Sequence, residues 1–295
     1  MMGEFTDKVV VITGAGGGIG RQHALAFAER GARLVVNDLG ASVDGQGAGN
    51  SADQVVAEIR AAGGIAVANY ASVADKDGAK SIIDQAVSEY GALDILVNNA
   101  GILRNRTFKN ASLEDLDLII QVHLLGTSYV THAAWPIMYE NNSGRIVLTS
   151  SVSGIFGAFG QSAYAAAKMG IVGLMNVLAL EGMGHNIRVN CLSPGADTRM
   201  TALDEGIDAQ NPRDKMHPRL VSAAALFLAS EDAPTGTIIH ALGNQYFRSE
   251  TICNPVVTLG VNASYEDLLE RREELLDMTE FIAKDEAIRV IAEQM

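Results

Sequence analysis

Short apolar runs alternate with longer stretches of mixed polarity through most of the chain, and that alternation predicts the architecture. Residues 9–13 (VVVIT) form an unbroken apolar run of strand length, followed by a helix-like stretch over 21–30 that Gly31 closes. The couplet then repeats. Further strands are predicted at 34–37 (LVVN), 65–69, 93–98 (LDILVN), 145–150 (RIVLTS), 187–192 (IRVNCL) and 237–241. Helices are predicted between them at about 51–62, 76–89, 113–140, 162–182 and 222–228. Strands apolar at every position are buried on both faces, and helical crossovers of this length force neighbouring strands to run parallel. The expected fold class is therefore α/β, a doubly wound parallel sheet of Rossmann type with ligands beyond the carboxyl ends of its strands. From Tyr246 the pattern changes to a charged, helix-forming end (SYEDLLERREELLDMTEFIAKDEAIRVIAEQM). No repeat or low-complexity linker sets it apart, so residues 1–245 read as one domain. Residues 246–295 read as an added C-terminal segment, either a cap over the substrate cleft or a subunit contact.

Composition narrows the partners. The 295-residue chain carries 22 basic and 35 acidic residues, a net charge of −13, which disfavours nucleic acid and anionic membranes as broad partners. The opening MMGEFTDKVVVITG has no basic region leading into an apolar stretch, so no signal peptide is expected. No uninterrupted apolar run approaches the ~18–20 residues of a membrane span. The final Glu293-Gln294-Met295 is neither a peroxisomal nor an ER-retention tail. Cys191 and Cys253 share no CxxC or metal-ligand spacing. A cytoplasmic protein with reduced thiols and no metal is the expectation.

Two features point to a nucleotide. Thr13-Gly14-Ala15-Gly16-Gly17-Gly18-Ile19-Gly20 sits where the first strand turns into the first helix. Glycines there let the backbone approach a pyrophosphate, and the helix start supplies N–H donors and a positive dipole end. Asp38 closes the second strand, where a carboxylate accepts hydrogen bonds from adenosine ribose hydroxyls and repels a 2′-phosphate. No Arg or Lys lies between Asp38 and Arg60 to offset that repulsion, so NAD is the expected cofactor rather than NADP.

The motifs TGAGGGIG (13–20), NNAG (98–101), Ser151, Tyr164-Ala-Ala-Ala-Lys168 and Ser193-Pro194-Gly195 resemble, in order and spacing, the short-chain dehydrogenase/reductase family over about residues 6–245. The resemblance implies an oxidoreductase acting on an alcohol or ketone, with Ser151, Tyr164 and Lys168 as its catalytic residues. The chemistry is consistent with that. Tyr164 and Lys168 are four apart on a helix and share a face, and a nearby ammonium favours phenolate, fitting the tyrosine for proton exchange. Ser151 can hold the substrate oxygen; Ser150 precedes it but fits the family spacing less well. Gly14, Gly18, Ile19, Gly20, Asp38, Ser72, Val73 and Asn99 are implied to line the dinucleotide. Lys168 is implied to hold the nicotinamide ribose beside Tyr164, and the 196–199 segment, with Ala196 and Thr198, to meet the nicotinamide amide. Where most family members place an asparagine, this chain reads Val122-His123-Leu124, which puts the usual proton relay in doubt.

Within the family, VVNDLGASVDGQG, VANYASV, NNAGILRNRTF, VHLLGTSYVTHAAW, SGIFGAFGQSAYAAAK and DTRMT look like the dehydrogenase domains of peroxisomal multifunctional enzymes of β-oxidation. Those domains oxidise (3R)-hydroxyacyl-CoA, also act on 17β-hydroxysteroids, and share the histidine. The likeness weakens beyond about residue 205. Arg104 and Arg106 are candidates for CoA phosphates, against a plain solvated-loop reading. Alternatives are a hydroxysteroid or small secondary-alcohol dehydrogenase that does not use CoA, and a non-catalytic dinucleotide-binding regulator. Apolar faces on 113–140 and 162–182 lead to the expectation of a homodimer or homotetramer.

Overall fold

Strand β1 (Val9–Thr13) is buried at every position, with Val10 and Ile12 packing into one apolar cluster and Val9 and Val11 into another. That two-sided burial is what the unbroken apolar run demands. The computed structural model describes residues 3–47, 49–198, 200–201, 208, 210 and 212–294. The chain divides at Arg248/Ser249 into two compact units.

In the first unit, β1, β2 (Arg33–Asn37), β3 (Ile65–Asn69), β4 (Ile95–Asn98), β5 (Gly144–Thr149), β6 (Ile187–Gly195), β7 (Ile238–Leu242) and β8 (Gln245–Ser249) form an eight-stranded sheet in the order β3-β2-β1-β4-β5-β6-β7-β8. From β3 through β7 every pairing is parallel. Two residues join β7 to β8, too few for anything but an antiparallel return. On one face lie α1 (Gly18–Ala28), α2 (Ser51–Ala61) and α8 (Pro218–Ala229), burying Phe27, Ile59 and Leu228. On the other lie α3 (Lys76–Tyr90), α5 (Gly126–Glu140) and α7 (Ser162–Glu181), burying Ile82, Met138 and Ile171. The doubly wound α/β reading holds. Chain order reverses between β1 and β4, where β2 and β3 build to one side and β5 onward to the other, and this switch point opens the ligand crevice.

Four differences from the sequence reading have physical causes. The 113–140 stretch is not one α-helix: α4 (Leu113–Ile120) passes into a π turn (Gln121–Leu125) before α5. Hydropathy cannot register that one-residue widening. A one-turn helix, α6 (Val152–Phe156), follows Ser151 and is too short to leave a periodic signal. β6 runs on through Ser193-Pro194-Gly195, and β8 extends the sheet where the pattern had been taken to change. Finally, α7 is long and apolar enough to cross a membrane despite Lys168 within it. It packs on the sheet through Ile171, Val172 and Met175.

The second unit holds a short antiparallel pair, β9 (Ile252–Cys253) with β10 (Ile282–Ala283), and helices α9 (Tyr265–Glu270), α10 (Arg272–Leu276) and α11 (Lys284–Gln294). Ser264 opens α9 with a capping box to Asp267.

Candidate active site

The glycine turn is fixed by its neighbours. Gly14 has a φ of +64°, and a Cβ there would lie 2.6 Å from the Ala100 Cα. Asn99 locks the turn from across the switch point: its Nδ2 donates to Thr13 O (3.1 Å) and Gly14 O (3.0 Å), and its N–H to Thr13 Oγ1 (3.1 Å). Gly17 caps α1 without a side chain and no acidic residue occupies the first turn, so the helix start keeps its N–H groups and positive end for a ligand. Thr198 faces Gly18, with Cγ2 3.7 Å from where a Cβ would stand.

Asp38 lies against the same turn. Gly16 N–H donates to its Oδ2 at 2.8 Å, Gly40 N–H to Oδ1 at 2.7 Å and Ser51 Oγ to Oδ1 at 3.1 Å. Sequence reasoning missed Ser51, whose only signal is its place at the start of α2. A turn with no room for a side chain at Gly14, Gly16 or Gly20, an uncapped helix start and an oriented carboxylate fit a nicotinamide dinucleotide. Of the other cofactor candidates, Ser72 Oγ accepts the Ala74 N–H at 3.2 Å, whereas the Val73 side chain is buried under Gly126 and leaves only its backbone for an adenine edge. Ile19 is half-buried against the α1-side core, and Ala196 is buried. Arg199 lies outside the described residues.

Ser151, Tyr164 and Lys168 are brought together beyond the ends of β5 and β6. Ser151 is the N-cap of α6, its Oγ accepting the Ser153 N–H at 3.1 Å, and its hydroxyl lies by Tyr164, where it favours the phenolate. Ser150 is not available for this role, because its Oγ donates to Lys168 O at 2.9 Å. Lys168 is buried, its Nζ donating to Thr149 O at 2.6 Å and lying 5.6 Å from the Tyr164 ring centre. Burial pushes this ammonium down to about 7. Burial also raises the Tyr164 phenol, with the Ser151 hydroxyl pulling the other way. The sequence argument had the ammonium lowering the phenol; in the protein without ligand, desolvation of both groups wins.

His123 sits in the π turn, fully enclosed. Its Nε2 lies 2.7 Å from Ile102 O and 3.1 Å from Ile102 N, and its ring meets Tyr164 edge-on at 5.0 Å. Burial, with Lys168 adding to it, pushes the imidazole down to about 3, so it is neutral and does not act as a cation. A Cβ on Gly101 would overlap this ring, which is why the NNAG turn ends in glycine here.

Two further groups escaped the sequence reading. His240 on β7 is stacked between Phe247 (4.3 Å, 4°) and Phe156 (5.7 Å, 22°), one helical turn beyond Ser151. Buried Asp197 takes a bidentate ion pair and the backbone N–H of Arg213, closing the base of the segment after β6. The arginines proposed for CoA part company. Arg104 is committed to Asp115 and to Asp44 O, while Arg106 is exposed and donates to Asn105 O.

Known proteins align with this arrangement. The profile described as short chain dehydrogenase matches residues 8–210. A Mycobacterium tuberculosis protein named only as a short-chain type dehydrogenase/reductase is 46% identical over 92% of this chain and 95% of its own length. Peroxisomal multifunctional enzyme type 2 of Mus musculus is 50% identical over 77% of this chain, which covers 30% of that enzyme. The crystal structure of a short chain dehydrogenase from Mycobacterium avium superposes with a TM-score of 0.83 at 40% identity, covering 93% of this chain and 96% of that one. Such likeness over nearly the full length, on the sheet and motifs described above, places the chain in the short-chain dehydrogenase family, as an oxidoreductase that works with a nicotinamide cofactor.

Proposed function

We propose that the protein oxidises a (3R)-3-hydroxyacyl-CoA to the 3-oxoacyl-CoA with NAD. The observation that carries the chemistry is the gathering of Ser151, Tyr164 and Lys168 at one place, with the Lys168 Nζ 5.6 Å from the Tyr164 ring centre. The acyl-CoA substrate rests on the likeness to the peroxisomal multifunctional enzymes, of which this chain spans well under two thirds of the mouse and fly proteins.

Ser151 Oγ and Tyr164 Oη together hold the carbinol oxygen, and Tyr164, as phenolate, takes its proton. The dinucleotide supplies the acceptor for the hydride leaving the carbinol carbon. Lys168 stabilises the phenolate and would hold the ribose hydroxyls of the dinucleotide. In reverse, the Tyr164 phenol protonates the ketone oxygen. NAD is favoured over NADP because Asp38 is held in place by three donors and no cation follows it until Arg60.

The aromatic stack of Phe156, His240 and Phe247 favours a second reading, a hydroxysteroid or small secondary alcohol that never carries CoA. Steady-state rates separate the two. A (3R)-3-hydroxyacyl-CoA with NAD is expected to show a higher kcat/KM than the matching free alcohol and than the same thioester with NADP. Parity with the free alcohol would refute the acyl-CoA assignment.

A further inference from the structure

The Gly-rich segment after β2 does not stay on its own side of the sheet. β1 lies between β2 and β4, yet Val43 and Asp44 are hydrogen-bonded to the loop that follows β4. Leu103 N–H donates to Val43 O at 3.0 Å, and Arg104 Nε and Nη2 both donate to Asp44 O, at 2.9 and 2.8 Å. Gly45 rests on the Ile102 side chain. Crossing from the end of β2 to beyond β4 covers two strand spacings, about 10 Å, well within the ~17 Å that residues 39–43 can span. The path therefore passes over the carboxyl end of β1, where the glycine turn presents the start of α1. A pyrophosphate seated on that helix start would lie beneath it.

Beside the Leu103–Val43 backbone bond, one side chain ties down the far end. Arg104 Nη1 pairs with Asp115 Oδ1 at 2.6 Å in the first turn of α4, so one guanidinium ties the crossing segment to a helix. Both side chains are more than two-thirds buried. Asp44 is the only charged residue between Leu39 and Asn50, so the segment has no cation with which to bind phosphate and acts by enclosure.

We propose that residues 39–45 form a strap over the bound dinucleotide and that Arg104 is its latch, a positioning residue that sets how fast the dinucleotide leaves. The proposal rests on the nicotinamide-dinucleotide reading of the crevice and is independent of the substrate. It also assigns Arg104 a role other than CoA binding.

The test compares Arg104→Ala and Arg104→Lys with the wild type. Stopped-flow displacement and calorimetry follow NAD, ADP-ribose and adenosine, the last of which carries no phosphate and ends short of the crossing. The Ala variant loses three charge-assisted hydrogen bonds, so NAD and ADP-ribose should leave roughly tenfold faster, with adenosine affinity within about twofold of wild type. The Lys variant keeps a cation but not the fork, and should fall between. An unchanged NAD release rate in the Ala variant overturns the latch. An equal loss for all three ligands also overturns it, since that is the signature of a disordered pocket. Wild-type protein that binds neither NAD nor NADP overturns the cofactor reading and the strap with it.

Discussion

A buried lysine is the most costly residue in this site. With no carboxylate beside it among the described residues, Lys168 relies on Thr149 O, and burial depresses its ammonium from 10.5 to about 7. Between those values the unfolded chain binds the proton and the folded one does not, so stability rises with pH across that window and the penalty is fully present below about 7. Lys168→Met should therefore remove most turnover while stabilising the protein without ligand at pH 7, by something on the order of 1–2 kcal/mol. Chemical denaturation at pH 7 and 10 checks this, and the gain should shrink at the higher pH. Loss of stability at pH 7 would show that the Thr149 bond outweighs desolvation. Asp38 acts at the same scale: Asp38→Ala should lower the NAD-over-NADP preference in kcat/KM at least ~10-fold by removing both an acceptor and a repulsive charge. An unchanged ratio would place cofactor choice elsewhere.

At the scale of the element, the π turn is the feature that shapes the site. Widening the helix at Gln121–Leu125 carries His123 against Gly101 and Ile102, where it clamps the turn after β4 and presents its ring edge to Tyr164. Single π turns often mark functional positions. Gly101→Ala should drive a methyl into the imidazole and destabilise the fold by roughly 1–3 kcal/mol, measured by denaturant unfolding. A neutral effect would mean that the ring can swing aside. None of this was visible in the sequence, where 113–140 keeps a helical apolar rhythm and His123 stands out only as a departure from the family asparagine. The strands were a different matter. Strand β1 is buried at every position and edge strand β3 in part, and unbroken apolar runs located both to the residue, whereas β8, exposed along most of its length, left no such mark.

For the whole molecule, burial explains what was legible and what was not. The glycine turn, Asp38, Ser151, Tyr164 and Lys168 could be read because close backbone approach and proton transfer demand particular residue types at fixed spacing. Ser51, Asp197–Arg213 and the Phe156–His240–Phe247 stack join residues far apart in the chain, and nothing local encodes them. Two enclosed histidines, His23 and His123, are pushed down to about 3. Each binds a proton in the unfolded chain below about 6.5 but not in the fold, so they contribute stability above that pH that drains away as pH falls toward 3. Thermal midpoints should drop steadily over that window, less so in His23→Gln; a flat profile would contradict the assignment. Met169, Val177 and Leu180 leave an apolar stripe exposed on α7, and we propose that a second subunit covers it. Light scattering should then report a dimer or tetramer, and a species of only 31 kDa would exclude that. The central claim, that the Tyr164 hydroxyl exchanges the substrate proton beside the dinucleotide, is tested most directly by Tyr164→Phe. Turnover of the (3R)-3-hydroxyacyl-CoA should fall by a factor of ~10² or more while NAD affinity stays within about twofold, and full turnover in that variant would contradict the account.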